Sequence, residues 1–166
     1  MKGMVRLIAA GFAAAAALVS VPLTAASSAG SSGNERIEIG YSLRLFGVGI
    51  GPGGTAGTFV ASGAVRDSGT ERGESTVTPF GNRGEGRLVG TSTLVGQLGT
   101  ITMEWHGIAG PLGALHTAAR GTFRIVGGTG AYADLHGQGT FLTVADFSTN
   151  QAIRTDDGRA GDGEPD

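Results

Sequence analysis

The sequence contains no cysteine, and its single lysine is Lys2. Without cysteine the chain can form no disulfide, no lipid-modified N-terminal cysteine and no thiol nucleophile. It also lacks the Gly-x-Ser-x-Gly pattern that presents a hydrolase nucleophile. The fold must therefore be stabilised by packing and backbone pairing, and the sequence indicates no metal site and no cofactor.

The first 26 residues have the pattern of a secretory signal peptide. Lys2 and Arg6 give a basic start, residues 7–21 are predominantly apolar, and Thr24-Ala25-Ala26 supplies small residues for cleavage. An uncleaved anchor fits less well, because a membrane-spanning helix needs about 20 apolar residues. The sequence therefore predicts a secreted, extracellular protein that is cleaved near Ala26.

Removal of residues 1–26 leaves 10 basic side chains, all arginine, and 14 acidic ones, a net charge of −4. The absence of a basic stripe argues against a nucleic-acid partner, and no basic amphipathic helix favours a membrane surface. Residues 27–35 are small and polar, which predicts a flexible N-terminus. The acidic, glycine-rich residues 155–166 predict a disordered tail, which leaves residues 36–154 as one domain.

Within that domain, apolar residues alternate with polar ones and show no sustained helical period. In RIEIGYSLRL, residues 36–45, every second side chain is apolar, which is typical of a strand with one buried face. Similar patterns occur in EGRLVGTSTLVG, LGTITMEWHG, GTFRIV and GTFLTVADF, and a shorter strand is predicted at GAYADL. Seven or eight short strands separated by glycine-rich turns indicate an all-β sandwich or barrel.

The glycine content favours the barrel. Thirty of the 32 glycines follow residue 26, and small barrels use glycine where strands bend sharply. A Gly-Thr-Phe triplet recurs at Gly57, Gly121 and Gly139, with a spacing too irregular for a repeat unit. We interpret the triplet as a bend glycine followed by an outward threonine and an inward phenylalanine.

The segment FRIVGGTGAYADLHGQG is a turn rather than a phosphate loop, because neither a helix nor a lysine follows its glycines. Gly127 and Gly128 are predicted to adopt positive φ there. The segment resembles the glycine-rich signature of the allene oxide cyclase and dirigent barrel families, and GTFVASGAVRDSG resembles a second turn of those families. The resemblance implies an antiparallel, eight-stranded, calycin-like β-barrel that is often homotrimeric and has an apolar central cavity. Of the acidic residues on which dirigent-type chemistry depends, only Asp67 lies in a comparable turn.

The candidate site residues form two groups. The catalytic candidates are Glu104, His106 and Asp67. Glu104 and His106 lie two residues apart in one predicted strand and so share a face, as an acid–base pair would, but this face is opposite to that of Trp105. Each of these residues also has a structural explanation. Asp67 would stabilise the turn in RDSG, and Glu104 and His106 would be polar side chains on a solvent-exposed face. The predicted ligand-binding lumen is lined by Tyr41, Phe59, Met103, Trp105, Phe123 and Phe141.

Three functions remain open from the sequence. The first is a secreted barrel that binds a small apolar molecule in its lumen. The second is an isomerase or cyclase of the kind the resemblance implies, which steers a reactive intermediate by cavity shape. The third is a scaffold whose lumen is filled by its own side chains and whose role lies on its outer surface. A polar group inside the lumen would favour the enzyme.

Overall fold

The structure, a computed structural model, describes residues 35–47 and 51–162. In these residues the chain forms a closed barrel of eight antiparallel strands, which confirms the predicted fold class. The strands are β1 (Glu35–Phe46), β2 (Gly51–Gly63), β3 (Asp67–Phe80), β4 (Glu85–Gly96), β5 (Thr100–Pro111), β6 (His116–Gly128), β7 (Leu135–Asp146) and β8 (Gln151–Asp162).

Each strand pairs with its sequence neighbours, and β8 pairs with β1 to close the sheet. Closure matters in a chain without disulfides, because it leaves no unpaired strand edge. The turns at residues 64–66, 97–99 and 129–134 lie at one end, which we call the lower end. The turns at 81–84, 112–115 and 147–150 lie at the opposite end, the upper end, where β1 also ends and β2 begins. Within the described residues, no helix has the length and apolar character needed to cross a membrane.

The Gly-Thr-Phe triplets have the orientation expected from the sequence. Phe59, Phe123 and Phe141 are buried inside the barrel, and the threonine before each is exposed. A side chain on the triplet glycine would collide with a backbone carbonyl of the neighbouring strand: Ser42 for Gly57, His106 for Gly121 and Asp157 for Gly139. Glycine is needed at these bends because the strands approach too closely for a Cβ atom.

The lower end is closed by a hydrogen-bonded cluster around Asp67. Its carboxylate accepts hydrogen bonds from the backbone N–H groups of Ser68, Gln97 and Leu98 and from the Tyr132 hydroxyl, at 2.7–3.1 Å. Tyr132 ends a single-turn 3₁₀ helix, Gly130–Tyr132, so the prediction of a strand at GAYADL is wrong. A turn between β2 and β3 is thereby tied to the turn between β4 and β5.

The positive φ of the glycine-rich turn lies at Gly130, where φ is 63°, rather than at Gly127 or Gly128 as predicted. The two predicted glycines differ from each other. A Cβ atom on Gly128 would collide with the carbonyl oxygen of Tyr132, whereas a Cβ on Gly127 would meet nothing within 4 Å. Gly128 is therefore required by close backbone approach, and Gly127 is not.

The predicted domain boundaries need one correction. Residues 155–162 are not a disordered tail, because they belong to β8, which pairs with both β1 and β7. The barrel therefore spans residues 35–162 instead of ending at residue 154. The predicted signal peptide, residues 1–26, and residues 163–166 of the predicted tail lie outside the described residues.

Candidate functional site: the barrel lumen

The inner face of the barrel carries different side chains in its two halves. Large side chains that are at most 2 % exposed fill the lower half and the middle: Ile37, Ile39, Phe59, Val65, Leu94, Ile101, Met103, Phe123 and Ile125. The upper half contains four alanines, in the register pairs Ala109–Ala119 and Ala145–Ala152, that are 4–9 % exposed. Leu43, Leu45, Val77, Leu88 and Phe147 line the rest of it. Small side chains on four adjacent strands occupy less of the lumen there than the large ones below.

Between the two halves, β8 carries a buried ion pair on the inner face of the barrel. Arg154 and Asp156 lie two residues apart, so they share the inner face of the strand. The guanidinium donates from Nε to Oδ1 of Asp156 at 2.7 Å and from Nη2 to Oδ2 at 3.0 Å. The Tyr41 hydroxyl donates to the same Oδ2 at 2.7 Å. Asp156 is therefore held by three hydrogen bonds, with no exposed surface of its own.

Three aromatic rings surround the Arg154 guanidinium. Its central carbon lies 5.1 Å from the ring centroid of Tyr41 and 4.9 Å from those of Trp105 and Phe141. Rings at this distance stabilise a cation through their negative faces. The aromatic residues thus replace part of the hydration that Arg154 loses on burial.

A second polar group lies on β3 and β4, next to the ion pair. Glu71 is 3 % exposed, and its Oε1 accepts a hydrogen bond from the Thr55 hydroxyl at 2.9 Å. Three buried side-chain atoms in the described part of the chain have no hydrogen-bond partner: Glu71 Oε2, Ser92 Oγ and Trp105 Nε1. Ser92 pairs in register with Gly73 on β3 and with Met103 on β5, which brings it between the strands of Glu71 and Trp105. Such buried polar atoms are costly unless something else pairs with them.

Burial shifts the acid–base properties of this cluster. Burial raises the pKa of Glu71, although its hydrogen bond from Thr55 and the charge of Arg154 oppose the shift. Burial likewise raises the pKa of Asp156 against the opposing effect of Arg154, and it raises that of Tyr41 well above its ordinary value. Ionisable groups with shifted pKa values that share one enclosed site are typical of functional sites.

The six predicted lumen residues, Tyr41, Phe59, Met103, Trp105, Phe123 and Phe141, are all buried inside the barrel. Trp105 and Phe141 also contact each other, edge to face, with centroids 5.8 Å apart. The three catalytic candidates lie elsewhere. Asp67 is in the lower-end cluster. Burial alone would raise its pKa, but the hydrogen bonds that it accepts have the larger combined effect, so its pKa is lowered. A catalytic role for it stays a prediction.

Glu104 and His106 point outward and line a groove of about 880 Å³ on the outer face of β2 to β5. Gly73 and Gly90 form part of the groove wall, and the Trp105 ring presses against Gly90 from inside the barrel. The groove is therefore separated from the lumen by a single layer of sheet. Among the described residues no cluster of three or more potential metal-ligating side chains occurs.

A search of protein families, of curated proteins and of solved structures finds no match to this chain. The class that the fold and the lumen define is an up-and-down β-barrel with a buried, partly unpaired polar cluster. The resemblance to the allene oxide cyclase and dirigent families stays a prediction.

The charged members of the cluster are not among the residues predicted from the sequence: Asp156 lies in the segment predicted as a tail, and Arg154 and Glu71 lie outside the predicted strands. A signal was present in the C-terminal segment. In QAIRTDDGRAG the residues Ala152, Arg154, Asp156 and Ala160 alternate with exposed ones, as in a strand. Glu71 is likewise buried between exposed neighbours in DSGTERGESTV. The residues that share its face, Gly69 and Gly73, have no apolar side chains that would mark this face as buried.

Proposed function

We propose that this protein is a secreted β-barrel that binds a small, mainly apolar molecule in the upper half of its lumen. The observation that carries the proposal is the set of unpaired buried atoms, Glu71 Oε2, Ser92 Oγ and Trp105 Nε1. A bound molecule with one polar group would pair with them, while its apolar part would lie along the four alanines. Pockets of this kind, largely apolar with a few polar groups that fix orientation, are typical of small-molecule sites.

The ligand enters, in this proposal, at the upper end. The lower end is closed by the hydrogen bonds of Asp67 and by the buried side chains of Val65, Tyr132 and Leu135. The upper half, in contrast, includes the four alanines in its lining. Secretion rests on the signal-like first 26 residues, and the calycin-like character on the resemblance.

Trp105 is the only tryptophan in the chain, so its fluorescence reports on the lumen alone. Titration with hydrophobic probes such as fatty alcohols or phenolics is expected to shift its emission saturably. Ala145→Leu, which adds volume to the upper half, is expected to abolish the response, whereas Leu142→Ala on the exposed face of the same strand keeps it. A linear or absent response to all probes would leave the scaffold function as the better account.

An isomerase or cyclase is the second candidate, and a specific observation favours it. Glu71 and Asp156, whose pKa values are raised, lie beside Arg154 in an otherwise apolar enclosure. A carboxyl group with a raised pKa can donate a proton near neutral pH, and an adjacent guanidinium can stabilise developing negative charge. If a probe that binds is also converted, Glu71→Gln is expected to stop conversion but leave binding. If Glu71→Gln retains both conversion and binding, Glu71 is not the acid.

A further inference from the structure

We infer that the lumen selects its ligand by the polar head group, accepting a neutral hydroxyl and rejecting a carboxylate. This inference rests on the proposed function of ligand binding and adds the chemical class of the ligand. It follows from the hydrogen-bonding capacity and the charge of the buried cluster.

The unpaired atoms need both a donor and an acceptor. The indole Nε1 of Trp105 can only donate, and the carboxylate oxygen of Glu71 can only accept when it is ionised. The Ser92 hydroxyl can do either. A ligand hydroxyl both accepts and donates, so one such group can pair with the indole and with the carboxylate. A ligand carboxylate only accepts, and an ammonium only donates.

The charge balance also disfavours a ligand carboxylate. Among the described residues the buried charged side chains are Glu71, Arg154 and Asp156. Arg154 is bound to Asp156 through two hydrogen bonds, and its side chain is 4 % exposed. The guanidinium is thus already neutralised, and ionised Glu71 gives the cluster a net charge of −1. A ligand carboxylate would add a second unpaired negative charge to an enclosed site, where charge repulsion is several times stronger than in water.

Disruption of the Arg154–Asp156 pair by a ligand would not relieve this repulsion. A carboxylate that took Arg154 from Asp156 would leave Asp156 buried without its partner, which is as unfavourable as the charge it replaced. Asp156 would keep only its hydrogen bond from Tyr41. Among the described residues, the pair therefore occupies the one buried cation that could have recognised an anionic ligand.

Matched eight-carbon probes test the inference: 1-octanol and octanoate, titrated against Trp105 emission at about pH 8, where the acid is charged. Octanol is expected to bind at least about tenfold more tightly than octanoate, since a tenfold preference needs only about 1.4 kcal/mol. In Glu71→Gln the preference over octanoate is expected to fall markedly. The control Glu74→Gln, on the exposed face of the same strand, should keep it.

Each other outcome overturns a definite part of the account. If octanoate binds as tightly as octanol, the selection against a carboxylate is wrong while the proposed function stands. A preference that survives in Glu71→Gln would remove Glu71 from the selection. Failure of both probes to bind would overturn the proposed function, and the inference with it.

Discussion

The buried ion pair of Arg154 and Asp156 gives the sharpest energetic prediction. Their side chains are 4 % and 0 % exposed, so neither Arg154→Met nor Asp156→Asn lets water replace the missing partner. Removing one member of a buried pair typically costs about 3–5 kcal/mol, because the other charge stays buried without compensation. We therefore expect each single variant to lose about that much of its free energy of unfolding.

The double variant Arg154→Met/Asp156→Asn removes both charges together. The aromatic rings of Tyr41, Trp105 and Phe141 then surround an apolar methionine, and the amide of the new asparagine still accepts from the Tyr41 hydroxyl. We expect its stability to lie within about 2 kcal/mol of the wild type, since apolar replacements of buried pairs are often neutral. The two single effects would then be strongly non-additive.

A matched control exists on the outer face of the barrel, between β1 and β8. Arg36 donates to Asp157 at 2.7 Å and 3.2 Å, in a similar two-point geometry, but these side chains are 68 % and 50 % exposed. Breaking this exposed pair should change the free energy of unfolding far less than breaking the buried one, because water replaces the missing partner. Urea denaturation followed by circular dichroism measures all the variants. Two results would refute the reasoning that an uncompensated buried charge causes the loss. One is a double variant whose loss of stability equals the sum of the two single losses. The other is an exposed pair whose disruption costs as much as that of the buried pair.

Three further predictions concern single positions. Glu71→Gln should raise the melting temperature near pH 7 and have little effect near pH 4. The reason is that an acid whose pKa is raised by burial destabilises the fold as the pH rises through that pKa. A melting-temperature difference between variant and wild type that is the same at both pH values would contradict this. Gly128→Ala should lower stability by more than about 2 kcal/mol, while Gly127→Ala should be neutral or slightly stabilising, as thermal denaturation of the pair will show. Tyr132→Phe should cost about 1–3 kcal/mol by loss of its hydrogen bond to the Asp67 carboxylate, and this loss should shrink in acid as Asp67 becomes protonated.

Much of the fold could be predicted from alternation and glycine content. The pattern in EGRLVGTSTLVG gives the same bounds as β4, and the inward phenylalanines of the Gly-Thr-Phe triplets are buried as expected. These predictions succeed because a strand with one apolar face needs only its own residues to reveal its period. The role of Gly130 could not be found in this way, since its positive φ depends on the 3₁₀ helix that begins at this residue.

The polar cluster was harder to predict, because its burial depends on hydrogen bonds that form only when the strands have paired. Arg154 and Asp156 neutralise each other within β8, and Tyr41 reaches Asp156 from β1. In the sequence, the same charges indicate solvent exposure. Glu71 lies between Gly69 and Gly73, which show no apolar contrast on either side of it. Only strand pairing reveals that these residues face the lumen.

The central claim is that the unpaired polar atoms of the lumen receive a ligand. The most direct measurement is the indole N–H resonance of Trp105 in the ¹H–¹⁵N spectrum of the labelled protein, because the chain has one tryptophan and hence one such signal. On titration with 1-octanol, a new hydrogen bond from Trp105 Nε1 should move this resonance downfield and saturably. A resonance that stays unshifted while octanol reaches its solubility limit would contradict the account.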